Sequence, residues 1–110
     1  MAIHHAVPGE LIAVRPLGSG LRQETTKTLY KSERLELFRM ILLAGETKPV
    51  HQVPGELTVQ CIEGLIELSF AGINEAMQRG DLKCLVGGEP FALKAFEDSS
   101  LLFTLLLHEH

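Results

Sequence analysis

The stretch KPVHQVPGELTVQCIEG, residues Lys48 to Gly64, decides the fold of this chain. It places a single histidine, His51, ahead of the pair Pro54-Gly55, and an alternating apolar run then leads to Glu63-Gly64. Pro-Gly favours a type II turn, with Pro at the second position and Gly at the third. Alternation of apolar and polar residues is typical of a strand with one buried face. The stretch therefore predicts two strands joined by a turn, with one side facing a protein interior.

The rest of the chain repeats this pattern of short extended runs separated by turns. A second Pro-Gly pair, Pro8-Gly9, predicts the same type of turn near the N-terminus. The predicted strands are Leu11 to Val14, Thr25 to Tyr30, Arg34 to Leu43, Glu56 to Ile62, Leu65 to Ala71, Ile73 to Gln78, Leu82 to Val86, Phe91 to Phe96 and Leu101 to Leu107. They follow one another too closely for the helical crossovers that parallel strands need. The pattern predicts an all-β sandwich or barrel.

Composition narrows the function classes. The 110 residues fit one domain, and the hydrophobic fraction of 45% is ordinary for a globular protein. A net charge of −4 argues against nucleic-acid binding, which needs clustered cations. No apolar run approaches the roughly 20 residues of a membrane-spanning helix. No export signal is evident, so we expect a cytoplasmic protein with Cys61 and Cys84 reduced and buried.

The spacing around the opening stretch resembles a known family. Gly45, five residues and then His51, with an apolar strand closing at Gly64, resembles the first motif of the cupin superfamily. Gly80, followed by Gly88 and Pro90, resembles the second motif. The resemblance implies a double-stranded β-helix, the cupin jelly-roll barrel. It also implies one cupin domain over residues 1–110, with N-terminal strands or an arm over 1–33 and the barrel core over 34–107.

Most metal ligands of the cupin motifs are replaced here. His51 stands at the first histidine position, but Val53 takes the second, Leu57 the glutamate and Phe91 the histidine of the second motif. A single imidazole does not make a competent transition-metal site. We therefore expect no metal and no other cofactor. Glu56 lies one residue from the glutamate position, and only a bulge would turn it inward.

Other histidines offer a weak substitute for the missing ligands. They lie near the two ends of the chain, at His4, His5, His108 and His110. With a non-standard ligand set around His51, the alternative function is a metal-dependent cupin enzyme of the oxygenase or isomerase type.

A ligand pocket in the barrel is the other site hypothesis. The candidate pocket residues are His51, Val53, Glu56, Leu57, Val59, Cys61 and Phe91. The apolar members fit either a pocket wall for a small organic ligand or plain core packing, because small barrels are often filled by their own side chains. No catalytic residue is assigned. A third option is a structural or regulatory partner domain with a filled barrel.

The apolar residues exceed what one small barrel interior holds. The runs RMILL, LIELSF and LLFTLLL carry apolar side chains on both faces. This surplus predicts a second buried surface, and a homodimer is the expected assembly. The alternative is a monomer whose N-terminal strands cover that face.

Overall fold

The computed structural model describes residues 5–107, except for the side chains of Val50 and His51. Nine strands and one 3-10 helix over Gly18–Gln23 make up the regular structure of that part. The strands are β1 (Lys27–Lys31), β2 (Leu35–Leu42), β3 (Thr47–His51), β4 (Leu57–Glu63), β5 (Leu65–Phe70), β6 (Ile73–Gln78), β7 (Leu82–Leu85), β8 (Phe91–Ala95) and β9 (Ser99–Leu106). No helix among the described residues is long and apolar enough to cross a membrane.

The strands form two sheets that pack face to face. The five-stranded sheet has the order β1-β2-β9-β4-β7, and the four-stranded sheet has the order β3-β8-β5-β6. Each neighbouring pair in both sheets is antiparallel. From β2 onward the chain changes sheet at every connection except the β5-β6 hairpin. Such alternation is that of a jelly roll, so the predicted all-β barrel class is confirmed.

The barrel interior is built by alternate residues of β4 and of its neighbours. Leu57, Val59 and Cys61 are buried on one face of β4, as the sequence alternation predicts. Across the ladder they pair with Leu105, Phe103 and Leu101 of β9. The four-stranded sheet supplies the opposite wall, from Ile66, Leu68, Met77, Leu93 and Ala95. Full burial of each large side chain contributes about 1.5–3 kcal/mol to stability.

A β-bulge interrupts the alternation at the end of β4. Cys61 pairs with Leu101, but the next paired residue is Glu63, opposite Ser100, so Ile62 is the extra residue. Ser100 lies on the face of β9 opposite to Leu101, because neighbouring strand residues point to opposite faces. The bulge therefore moves Glu63 to the outer face of the five-stranded sheet.

Two sequence predictions are wrong in the N-terminal part. Leu11 to Val14 is not a strand, and Leu11 is 89% exposed. The Ala6 N–H bonds to Leu29 O, but the turn closed by Glu10 N and Val7 O then leads the backbone away from a ladder. A strand pattern without a partner strand does not form a strand. The predicted strand Thr25 to Tyr30 begins two residues later, at Lys27.

The two Pro-Gly pairs differ in conformation. Gly9 has φ of +88°, which agrees with a type II turn. Gly55 does not have positive φ, so the predicted type II turn at Pro54-Gly55 is wrong. Glycine is needed at position 55 for another reason, because a Cβ there would collide with the carbonyl oxygen of Leu106. The identical motifs therefore serve different purposes.

Candidate functional site

Three of the predicted pocket residues fill the barrel rather than line an open space. Leu57 is 2% exposed, and Val59 and Cys61 are 0% exposed. They belong to the buried cluster that includes Leu101 and Phe103. Between the two interpretations that the sequence left open for these three residues, their burial favours core packing.

Val53 and Phe91 meet at a small apolar cavity. The cavity has a volume of about 50 Å³ and is bordered by Phe38, Met40, Val53, Phe91, Phe103 and Leu105. Phe38 and Phe103 stack with ring centroids 4.7 Å apart, and Phe91 lies 6.3 Å from Phe103. Pockets for drug-sized ligands measure about 300–1,000 Å³, so this cavity holds a much smaller group.

Four residues of this cavity were not singled out from the sequence. They are Phe38 and Met40 of β2 and Phe103 and Leu105 of β9. The signal that identifies them is the two-residue period, because each pair shares one face of its strand. The runs that contain them are apolar on both faces, so the period alone did not say which face was inside.

Glu56 lies apart from the cavity. Its side chain is exposed, and it borders a groove on the outer side of the five-stranded sheet together with Leu35 and Thr104. The Leu106 N–H donates to the backbone oxygen of Glu56, so β9 holds the backbone at this point. The inward-turning bulge considered for Glu56 is absent; the bulge of β4 lies at Ile62 instead.

The histidines give no described ligand set. The backbone of His51 pairs with that of Phe91, while the His51 side chain lies outside the described part. His4, His108 and His110 also lie outside the described residues, and His5 is exposed. Within the described part, no group of three or more His, Cys, Asp or Glu side chains is placed to hold a metal ion.

Glu63 anchors the N-terminal arm, residues 5–26, to the outer face of the five-stranded sheet. Its carboxylate accepts hydrogen bonds from Leu17 N at 2.8 Å, Gly18 N at 3.0 Å and Ser100 Oγ at 2.6 Å. Burial acts to raise the pKa of Glu63, but these three bonds and the charge of Arg39 outweigh it and lower the pKa. Sequence reasoning used Glu63 only as part of a turn and missed this role.

A second acid holds the arm at the neighbouring end of the barrel. Asp98 Oδ2 accepts a hydrogen bond from Arg22 Nη1 at 2.6 Å, and Asp98 Oδ1 accepts one from Ala44 N at 2.9 Å. These hydrogen bonds, led by that of Ala44, lower the pKa of Asp98. The arm is therefore fixed beside both Glu63 and Asp98.

The two cysteines have different surroundings. Both thiols are free, with Cys61 buried and Cys84 exposed, so the prediction that both are buried is wrong for Cys84. Cys84 pairs with Thr58, whose side chain belongs to the outer face of β4. Burial, with a contribution from the charge of Asp81, raises the pKa of Cys61 to about 11.

Comparison with known proteins places this architecture in a class. No family model and no curated protein matches the chain. Solved structures do match, and a conserved protein of unknown function from Streptococcus pyogenes is 23% identical, with a TM-score of 0.75 and coverage of 100% of both chains. The class that these features define is the small antiparallel jelly-roll barrel with a largely filled apolar interior.

Two further structures carry the family name. A cupin superfamily protein from Desulfitobacterium hafniense is 16% identical, with a TM-score of 0.76 over 89% of this chain and 95% of that one. An RmlC-like cupin protein from Desulfovibrio desulfuricans is 25% identical, with a TM-score of 0.69 over 94% and 97% of the two chains. The chain has the fold of a small cupin, and the resemblance drawn from its motifs is confirmed at that level.

Proposed function

We propose that this cupin-fold protein is a non-enzymatic binding module whose barrel takes a slim apolar group of a small organic ligand. The observation that carries the proposal is the cavity of about 50 Å³ between Val53 and Phe91. Both residues occupy positions where the cupin motifs have histidine ligands. Apolar side chains there supply packing surface in place of metal-binding nitrogen atoms.

The chemistry of the cavity limits what it accepts. Its six bordering residues are all apolar, and Phe38, Val53 and Leu105 are only partly buried, so the cavity reaches the surface. Apolar cavities of about 150 Å³ bind benzene or xenon and stay dry. A space one third of that size fits a methyl or short alkyl end, with the remainder of the ligand outside the barrel.

Xenon is a suitable probe because it needs no polar partner. Xenon binding is expected to shift the NMR signal of the Met40 methyl group, since Met40 borders the cavity. Val53→Phe fills the space and is expected to abolish the shift. The matched control is Val86→Phe, because Val86 is 58% exposed. An unchanged Met40 signal in the unmodified protein, or an equal shift in Val53→Phe, would refute the proposal.

The proposal includes a homodimer formed through the outer face of the five-stranded sheet. The N-terminal arm covers one end of this face at Glu63, and the other end carries a groove of about 260 Å³. The groove is bordered by Leu35, Glu56, Leu57, Thr58, Cys84, Thr104 and Leu106. A twofold interface brings a patch against its own copy, so a surface with a single charged residue favours self-association.

Light scattering of the purified protein tests the dimer. A homodimer is expected at about 100 μM, and Thr104→Lys should convert it to a monomer because two like charges would then face each other. Thr47→Lys, on an exposed position of β3, should leave the mass unchanged. A monomeric unmodified protein would refute the dimer without bearing on the cavity. We place the protein in the cytoplasm, where free thiols such as Cys61 and Cys84 remain reduced.

A further inference from the structure

Arg39 is a buried cation on the outer face of β2. It is 6% exposed, and within the described part of the chain its Nη1 atom has no hydrogen-bond partner. Its strand neighbours are Lys27 of β1 and Leu102 of β9, neither of which supplies an anion. A buried guanidinium nitrogen without an acceptor is unfavourable by the cost of its lost hydration.

The nearest acid that influences Arg39 is already occupied. The charge of Arg39 contributes to lowering the pKa of Glu63, so the two groups interact through space. The Glu63 carboxylate, however, accepts its hydrogen bonds from Leu17, Gly18 and Ser100. The described contacts include no hydrogen bond from Arg39 to Glu63. Arg39 therefore retains unused donor capacity.

Arg39 borders a groove between the N-terminal arm and the sheet. The groove has a volume of about 430 Å³, which lies within the range of small-molecule sites. Arg15, Lys27 and Arg39 contribute three cations to its lining, and Glu24 contributes the one acid. Glu24 lies 3.9 Å from Lys27, so it offsets that cation more directly than the two arginines.

Apolar residues complete the groove. Leu17 of the arm and Leu29 of β1 are both half-buried and border the same space as Arg39. Such a site offers charge at one position and a nonpolar surface beside it. The complementary molecule is an anion with a compact apolar body.

We infer that this groove is a binding site for a small organic carboxylate, with Arg39 as the residue that pairs with the carboxylate. The planar guanidinium matches a carboxylate through two parallel hydrogen bonds, and low exposure strengthens such charge-assisted bonds. Arg15 and Lys27 add longer-range attraction, while Leu17 and Leu29 contact the apolar body. The site lies outside the barrel and does not depend on the cavity at Val53 and Phe91.

Calorimetry with the full chain tests the site with hexanoate, benzoate and inorganic phosphate as probes. Hexanoate or benzoate is expected to bind, and phosphate to bind less tightly because it lacks an apolar body. Arg39→Met should weaken carboxylate binding about tenfold or more. The variant is expected to fold, since an apolar residue replaces a buried charge that lacks a full set of partners. Arg34→Met, at an exposed arginine just before β2, is the matched control and should bind as the unmodified protein does.

NMR of the unmodified protein supplies a readout that needs no variant. Carboxylate binding should shift the Arg39 Nε–H signal more than that of Arg34. Absence of binding by both carboxylates, equal binding by Arg39→Met, or an unmoved Arg39 signal would overturn the inference. Tighter binding of phosphate than of either carboxylate would overturn the assigned ligand class. Val53→Phe should keep carboxylate binding, so failure of this site and failure of the cavity are distinguishable.

Discussion

Phe91 and Phe103 connect the two sheets across the barrel, with ring centroids 6.3 Å apart. Phe91 is 4% exposed and belongs to β8, whereas Phe103 is 1% exposed and belongs to β9. The position that the second cupin motif gives to a histidine therefore carries an aromatic ring packed on a second ring. Stacked aromatic pairs contribute about 0.5–1.5 kcal/mol beyond the area they bury. The site has become part of the core.

Replacement of Phe91 by alanine is expected to destabilise the protein by about 3–5 kcal/mol, because it removes a buried ring and leaves a cavity. Urea denaturation measures the change in the free energy of unfolding. Phe96→Ala is the matched control, since Phe96 is 45% exposed and has only Lys94 near its ring face, 5.5 Å from the centroid. Its cost should stay below about 1 kcal/mol. Equal costs for the two variants would contradict the interior packing of Phe91.

Substitution of Gly64 by alanine should be far more damaging than the same change at Gly72. Both glycines have positive φ, +94° and +79°, so each alanine bears a backbone cost of roughly 1–2 kcal/mol. At Gly64 the new Cβ would also lie 2.5 Å from the Asp98 oxygen, whereas at Gly72 it meets open space. Thermal unfolding should therefore show a clearly larger loss for Gly64→Ala. Similar melting temperatures would mean that the corner between β4 and β5 is looser than described here.

The two thiols should differ in reactivity toward a thiol reagent at pH 8. Cys84 is exposed, while Cys61 is buried and its pKa is raised to about 11, so Cys61 has little thiolate. Colour development with an aromatic disulfide reagent is expected to count one fast thiol in the native protein and two after denaturation. Cys84→Ser should remove the fast phase, and Cys61→Ser should leave it intact. A fast phase that persists in Cys84→Ser would place Cys61 outside the interior.

Acid should release the N-terminal arm from Glu63. The pKa of Glu63 in the folded protein is below its ordinary value of 4.5, so the stabilisation is fully present above pH 4.5. It is lost as the pH falls through the folded-state value. Hydrogen exchange of the Leu17 and Gly18 amides, corrected for the intrinsic pH dependence, should therefore accelerate in that range.

Glu63→Gln isolates this effect from the titration of Asp98. The variant should exchange the two arm amides faster at neutral pH and show a weaker acid dependence, because its side chain carries no charge to lose. Glu75→Gln is the control, since Glu75 is an exposed acid of β6. If Glu63→Gln and the unmodified protein respond equally to acid, the arm is held by other contacts.

Local sequence patterns predicted much of the barrel because they report which side of a strand is apolar. The period of two along Glu56 to Ile62 placed Leu57, Val59 and Cys61 on the inner face, where all three are buried. The pattern failed at Leu11 to Val14 because a strand also needs a partner with unpaired backbone groups. It was ambiguous in β2 and β9, where both faces carry apolar residues.

The candidate sites were less predictable than the fold. Val53 and Phe91 were identified from motif spacing, but Phe38 and Phe103 became cavity residues only when β2 paired with β9. Arg39 gave no signal as a site, because an arginine in an alternating strand is typical of an exposed face. Its burial results from the arm, which comes from a distant part of the chain.

By itself, the sequence determined an all-β chain with cupin spacing and with apolar residues in place of most metal ligands. These features follow from residue type and from the two-residue period, both of which are local. The tertiary structure alone decided that the bulge at Ile62 turns Glu63 outward, that Glu63 fixes the arm, and that the arm buries Arg39. The physical reason is that each of these outcomes depends on pairing between residues far apart in the chain, which no local pattern encodes.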